Sequence, residues 1–442
     1  MIFFLLVFTI FFTFLLPLIF KIEKFDLNVY SFFVVILFFQ LIVRNILIYF
    51  NLPNEQYIQV EILKGLSLQD FELSGLVFLI CSIFIVFSYS MARYSNEFPN
   101  TSPFFFIKNN PSERKILFWC FSFLGLSFLA NFLFFSQFDL TLISFYRGVT
   151  NNLQEYSAQG YLRLAAGMCV VTGFISIAYA WETTSKLRKR LFQFIAAISF
   201  ILLILNAIFS SSRAIILISL VGIFILSYYS KIKFSFLTKL LVSMAVISIL
   251  SFMTIYRMAE NRETLSFDMI GDYASTPLYL IVNQGGIDLM KTQHMINYVS
   301  NNADYKYGEL LSNIILLAIP RSIWQDKPVN VDTQFGMEVY GASAYGSGAV
   351  PPGILGEFFW DFSWLGLLVA SLITGLLMGF LDKFFQKNQN SIFVKILFSS
   401  SLIWTGMSIM GSGFVSFIVG AFVQIMPLFV IFFLSSLTTR RI

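Results

Sequence analysis

Charge, histidine and cysteine are all scarce in this chain, and each scarcity removes a class of protein. Only 12% of its 442 residues are Asp, Glu, Lys or Arg, about half the ~25% of a soluble domain, so a fully hydrated globular surface cannot be assembled. A single histidine, His294, and three cysteines, Cys81, Cys120 and Cys169, leave no His/Cys cluster suited to zinc. The patterns GxxxxGK[ST], HExxH and DxD are absent, which argues against ATP hydrolysis and against a metal held by nitrogen or sulfur ligands. The apolar stretches carry no acid or histidine at mid-depth, so a proton-relay transporter has little to work with.

What fills the chain instead is apolar surface. Hydrophobic residues make up 57%, with 55 phenylalanines and a mean hydropathy of +0.78. Runs of about 18 or more such residues can cross a hydrocarbon core as helices, which satisfy their own backbone hydrogen bonds. Spans are expected at 1–20, 28–50, 72–92, 115–136, 161–181, 191–209, 214–229, 237–256, 354–381, 392–411 and 413–435, giving an all-α polytopic membrane protein of about eleven transmembrane helices. The first stretch has no basic n-region and ends in Lys21 and Lys24, so it reads as a retained span, not a removable signal. All three cysteines fall within expected spans and read as packing residues. Gly375 and Gly379 form a GxxxG in the ninth span, a pattern for close helix packing or a dimer face.

Orientation follows from Lys and Arg. Connections 21–27, 93–114, 182–190, 230–236, 382–391 and tail 436–442 carry fifteen basic residues in 62 positions, against three in 49 for 51–71, 137–160 and 210–213. The first set is therefore cytoplasmic. This places the N-terminus outside, the C-terminus in the cytoplasm, and a large outward loop between spans eight and nine. The expected parts are spans one to eight (1–256), the loop (257–352) and spans nine to eleven (353–442). A net charge of +5 expresses this bias and implies no nucleic-acid partner.

The loop differs from its surroundings, with seven of nineteen tyrosines but two of 55 phenylalanines. Tyr and Trp faces suit stacking on sugar rings and equally suit an interfacial aromatic belt; Trp324, Tyr340 and Tyr345 are the candidates. Residues 308–319 form an apolar run too short to span, closed by Pro320, and read as a short re-entrant or interfacial helix. Pro351 and Pro352 mark the start of the ninth helix.

The use of cations also differs between sides. Under this topology the cytoplasmic side holds twelve Lys and six Arg, the outward side four Lys and seven Arg. Arg suits fixed bidentate binding of phosphate, whereas Lys serves as a diffuse anchor to lipid headgroups. Arg44, Arg163, Arg213 and Arg257 converge on the outward ends of spans, and Glu357 and Asp361, four residues apart, share one face at the start of span nine. They are candidates for binding a phosphorylated ligand; snorkelling or structural ion pairing is the alternative.

IPRSIWQDKP (319–328), followed after a Gly-rich gap by GILGEFFWDFSWLGLL (353–368), resembles the Wzy-type oligosaccharide repeat-unit polymerases of O-antigen and capsule. SSSRAIIL (210–217) and the Tyr256–Arg257 pair fit the same pattern. The resemblance implies a GT-C-like metal-independent glycosyltransferase of the bacterial inner membrane, without a cofactor, acting in lipopolysaccharide or capsule synthesis on undecaprenyl-diphosphate-linked glycans. A chain-length regulator and a flippase are the pathway partners it implies. Arg213, Arg257 and Arg321, aided by Lys327, would stabilise the leaving diphosphate. Glu357 would take the acceptor proton, with His294 the second choice; Asp361 would orient an arginine or serve structure. Arg147 and Arg163 would contact substrate, although the first outward Arg/Gly loop, 137–160, is short for the family. A lipid-linked-oligosaccharide flippase or an O-antigen ligase are the competing readings.

The topology makes a direct prediction. Cysteines placed at Asp304 and Lys387 react with a membrane-impermeant thiol reagent from outside and inside respectively; the reverse pattern would invert the orientation.

Overall fold

The computed structural model describes residues 28–37, 68–95, 111–136, 160–209, 213–235, 244, 289–317, 324, 329, 331–340, 350–402, 411 and 413–437. Most of these are helical, with no strand among them. The helices are α1 (Val29–Leu37), α2 (Leu68–Tyr94), α3 (Glu113–Phe135), α4 (Gly160–Glu182), α5 (Lys186–Phe209), α6 (Arg213–Tyr229), α7 (Leu289–Asn302), α8 (Glu309–Leu317), α9 (Val331–Tyr340), α10 (Gly353–Asn388), α11 (Ile392–Leu397) and α12 (Phe414–Leu437).

Six described helices are long and apolar enough to cross a membrane: Leu73–Tyr94, Glu113–Phe135, Ala165–Glu182, Lys186–Ala207, Gly353–Asn388 and Phe414–Leu437. They coincide with expected spans three to six, nine and eleven. The seventh is a helix of 17 residues. The tenth differs in form: α11 is six residues long and passes into a π-helical turn, Phe398–Leu402, where Ser399 and Ser400 hydroxyls donate to the carbonyls of Lys395 and Ile396. Such back-bonding loosens a helical ladder. Expected span 1–20 lies outside the described residues, as does 237–256 apart from Met244.

The chain divides into two compact units. The first comprises 1–98, 277–386 and 403–420, and the second 99–276, 387–402 and 421–442.

In the second unit α3, α4 and α5 run antiparallel in sequence. Lipid supplies no hydrophobic drive for helices to associate, so small and hydroxylated residues make the contacts. The Ser127 hydroxyl donates to the Ala166 carbonyl at 2.6 Å, and Thr172 and Ser199 hydroxyls lie 3.2 Å apart. At one end Glu113, in the first turn of α3, accepts from Thr183 at 2.8 Å and pairs with Arg188 at 3.0 Å.

The first unit is organised around α10. Helices α2 and α10 run parallel and meet at Gly375 and Gly379. A methyl group at Gly375 would collide with the Ser88 side chain and the Ile85 carbonyl, and one at Gly379 would lie 2.6 Å from the Tyr89 carbonyl. Below that crossing the buried Asp382 accepts the amides of Val29 (2.7 Å) and Tyr30 (3.2 Å), capping α1, and the Tyr89 hydroxyl (3.1 Å). Lys383 donates to Ser95 at the end of α2, where a cation suits the exposed carbonyls.

Where a continuous ninth span is expected, α10 is broken. Phe362 (φ −134, ψ 18) and Ser363 (φ 58, ψ −148) leave helical geometry, which frees the carbonyls of Trp360 and Asp361 from the ladder. The amides of Lys306 (2.9 Å) and Tyr307 (3.0 Å) take them up. A short buried segment, 353–361, is thereby set apart from the long remainder of the helix. Proline is absent there, but Gly366 just after the break lets the chain turn back closely, since a methyl group on it would collide with the Phe358 carbonyl.

Replacing Asp382 by Ala leaves the Val29 and Tyr30 amides and the Tyr89 hydroxyl without this acceptor, although Asn28 still caps α1 through the Ser31 amide, a cost of about 2–3 kcal/mol. The thermal midpoint in detergent is expected to fall, with Asp382→Asn intermediate because it keeps one acceptor oxygen. Equal midpoints for Asp382→Ala and the parent protein would remove Asp382 from this role.

Candidate functional site

The segment 353–361 buries Trp360, Phe358 and Phe359 and thereby positions two carboxyl groups against the ends of other helices. Glu357, 1% exposed, lies at the N-terminus of α12: its Oε2 accepts from the Phe414 amide and, at 3.4 Å, from the Val415 amide. Asp361 does the same for α8, its two oxygens each 3.2 Å from the amides of Leu310 and Leu311. The first amides of a helix have no intrahelical acceptor and carry a partial positive charge, so these helix ends supply donors to both carboxyls, and among the described residues no cation pairs with either.

Gly413, immediately before α12, has φ +82, and a methyl group there would sit 2.7 Å from Glu357 Oε2 and 3.8 Å from Asp332 Oδ1. Only a residue without a side chain meets both conditions easily. A second acid therefore reaches the same place. Asp332, in the first turn of α9, is buried; its Oδ2 accepts from the Ser416 hydroxyl at 2.8 Å and its carbonyl from the Val350 amide at 3.1 Å. Burial pushes its carboxyl up to about 6, opposed by the Ser416 hydroxyl and the charge of Lys291. Glu357 Oε1 has no hydrogen-bond partner among the described residues although it is buried. One oxygen is thus fixed by the helix end, while the other is buried without a partner among the described residues.

Helices α7 and α9 close around this segment. Asn297 donates to Asp70 at 3.0 Å, tying α7 to the start of α2. Tyr298 donates to Glu338 of α9 at 2.9 Å, and its ring meets Trp360 edge-on at 6.2 Å.

The sequence candidates fall as follows. Glu357, Asp361, His294 on α7, Trp324 and Tyr340, the last residue of α9, belong to the first unit. Trp324 lies outside regular structure and is half-buried. In the second unit Arg163 occupies the first turn of α4 and Arg213 begins α6. Arg44, Arg147, Arg257, Arg321, Lys327 and Tyr345 lie outside the described residues. Asp332, Ser416 and Gly413 were not among the candidates. No spacing rule singles them out, since their meeting depends on α9 being folded back onto the start of α12. Among the described residues no three His, Cys, Asp or Glu side chains are grouped so as to hold a metal ion.

Two curated proteins, each named O-antigen polymerase, from Salmonella typhimurium (strain LT2) and Salmonella typhi, are 28% identical to this chain over 181 residues. The chain is similar to O-antigen polymerases. The likeness agrees with the resemblance carried by the 319–328 and 353–368 motifs. It covers 40% of this chain and 39% of each of those proteins, so the chain matches about two-fifths of their length. No family model matches. No solved structure matches.

The buried Asp332 carries a pH prediction. Its folded-state carboxyl is raised above the ordinary value, so it binds protons more tightly when folded. Its contribution is full below about pH 4 and is lost as pH rises through about 6, on the order of 3 kcal/mol across that window. Amide exchange in α9 is expected to quicken from pH 5 to pH 7 beyond its intrinsic dependence, and Asp332→Asn to flatten this trend. An unchanged trend in the variant would show that another group is responsible.

Proposed function

We propose that this chain polymerises undecaprenyl-diphosphate-linked oligosaccharide repeat units into O-antigen, capsule or a related surface polysaccharide, at the outward face of the bacterial inner membrane. The observation that carries the reading is Glu357: a buried acid in a motif resembling the polymerases, with one oxygen held by α12 and the other without a partner among the described residues.

In the proposed reaction the acceptor sugar's hydroxyl oxygen attacks the anomeric carbon of the donor glycan. The O–H bond breaks, with its proton passing to Glu357 Oε1, and the bond between the anomeric carbon and the diphosphate oxygen breaks, its electron pair leaving with the polyprenyl diphosphate. Negative charge grows on that leaving oxygen. Arg213, Arg257 and Arg321, with Lys327, are proposed to balance it, since permanent cations at headgroup depth stabilise a diphosphate without a metal. Arg147, Arg163, His294, Trp324, Tyr340 and Tyr345 are assigned to substrate contacts. Asp361 holds α8 against the segment that carries Glu357. An eleven-span, GT-C-like architecture accompanies this reading, with a chain-length regulator and a flippase as pathway partners.

Purified protein supplied with lipid-linked repeat units in detergent is expected to yield a ladder of longer glycans, which a flippase does not produce. Glu357→Gln keeps an oxygen to accept from Phe414 and Val415 but lacks a usable base, so it should abolish the ladder while the thermal midpoint stays near the parent value. Arg213→Lys and Arg321→Lys should likewise lose polymer without loss of folded protein. A full ladder from all three variants would sink the site assignment.

A further inference from the structure

Three stretches of chain that lie far apart in sequence are tied together at Asp332. Its Oδ2 accepts from the Ser416 hydroxyl, in the first turn of α12, at 2.8 Å. Its backbone carbonyl accepts from the amide of Val350, just before α10, at 3.1 Å. Its Oδ1 faces Gly413: a methyl group on that glycine would lie 3.8 Å from it and 2.7 Å from Glu357 Oε2. Glu357 in turn accepts from the amides of Phe414 and Val415. The first turn of α12 is therefore gripped by two acids, Glu357 of α10 through residues 414 and 415 and Asp332 of α9 through residue 416.

A tie made only for stability could be apolar. Asp332 is 8% exposed, and burying a carboxyl costs desolvation that one hydroxyl offsets only in part, whereas the bond it makes is directional. What it fixes follows from its place in the chain. The bond from Val350 closes the stretch 333–349 at its base, and that stretch holds Tyr340, Tyr345 and the glycine-rich run 341–349. On the other side Asp332 follows Lys327 by five residues and Arg321 by eleven. Five residues span at most about 18 Å, so Lys327 is held near Asp332 by the chain alone. The cations assigned to the diphosphate and the tyrosines assigned to sugar are thus both tethered, through Asp332, to the turn that fixes Glu357.

Glycosyl transfer needs a base at the acceptor hydroxyl and cations at the leaving diphosphate, on either side of one anomeric carbon. A misplacement of about 1 Å between such groups can cost about a hundredfold in rate. We propose that Asp332 and Ser416 are positioning residues for this reaction, their hydrogen bond locking the outward loop, with its cations and tyrosines, to the α12 turn that orients Glu357. This deepens the polymerase reading and rests on it. Asp332 touches no reacting atom; it acts on Glu357 through the Phe414 and Val415 amides. What matters is its acceptor oxygen, and neither its charge nor its proton takes part in the transfer.

The test uses the full chain in nanodiscs with lipid-linked repeat units. Asp332→Ala and Ser416→Ala each remove the tie and are expected to lower kcat about tenfold or more, with KM within about twofold of the parent. The double variant should lose no more than either single one, since both act through one bond. Asp332→Asn keeps an acceptor and Ser416→Thr a hydroxyl, and each should return kcat to near the parent value. Amide exchange reads the same tie without turnover: Phe414 and Val415 should exchange about tenfold faster in the two Ala variants and at the parent rate in Asp332→Asn and Ser416→Thr. Ser416→Ala carries the test by itself where Asp332→Ala does not fold. Parent kcat in the Ala variants, losses that multiply in the double variant, or an Asp332→Asn as slow as Asp332→Ala each overturn the positioning role. Faster exchange throughout α9, α10 and α12, with KM rising as kcat falls, also overturns it and makes the tie a matter of packing. A parent protein that makes no ladder overturns the polymerase reading; unchanged exchange at Phe414 and Val415 then overturns the tie as well, and faster exchange upholds it.

Discussion

Three buried carboxyl groups on one helix, each set against the first amides of another, organise the first unit. Asp382, Asp361 and Glu357 of α10 reach α1, α8 and α12 respectively. Removing a carboxyl from water is expensive, and a cation within an apolar bundle would add its own desolvation cost. A helix N-terminus supplies charge-assisted donors and a favourable dipole that are already desolvated together with the backbone. The acids thus fix where three other helices begin.

The break at Phe362 and Ser363 makes two of those contacts possible. An uninterrupted helix would keep the Trp360 and Asp361 carbonyls in its own ladder, and the 303–308 turn would lose its two backbone anchors. With the break, α8 starts beside Asp361, and the segment bearing Glu357 is separated from the stretch that packs on α2. The proposed acid chemistry therefore depends on one local change of backbone direction.

Much of this was legible in the sequence. The helices at 72–92, 115–136, 161–181, 191–209, 354–381 and 413–435 could be read from apolar runs, because a helix that must satisfy its backbone without water needs length and hydrophobicity, both local properties. Glu357 and Asp361 stood out because carboxyls in apolar helices are rare. Their helix-end partners did not, since an amide at the start of a distant helix leaves no trace in side-chain chemistry. Asp332 was missed because an acid in a polar loop looks ordinary until the fold buries it.

The sequence by itself determined that the chain is a helical polytopic membrane protein, where its longest helices run, and its similarity to the repeat-unit polymerases, all of which depend on composition, periodicity and short motifs. Only the tertiary structure decided that Asp332 and Glu357 meet at Gly413 and that α10 breaks without a proline. Those features depend on contacts between residues up to 81 positions apart, from Asp332 to Gly413. Their energy comes from burying and pairing polar groups brought together by folding, which local sequence cannot express.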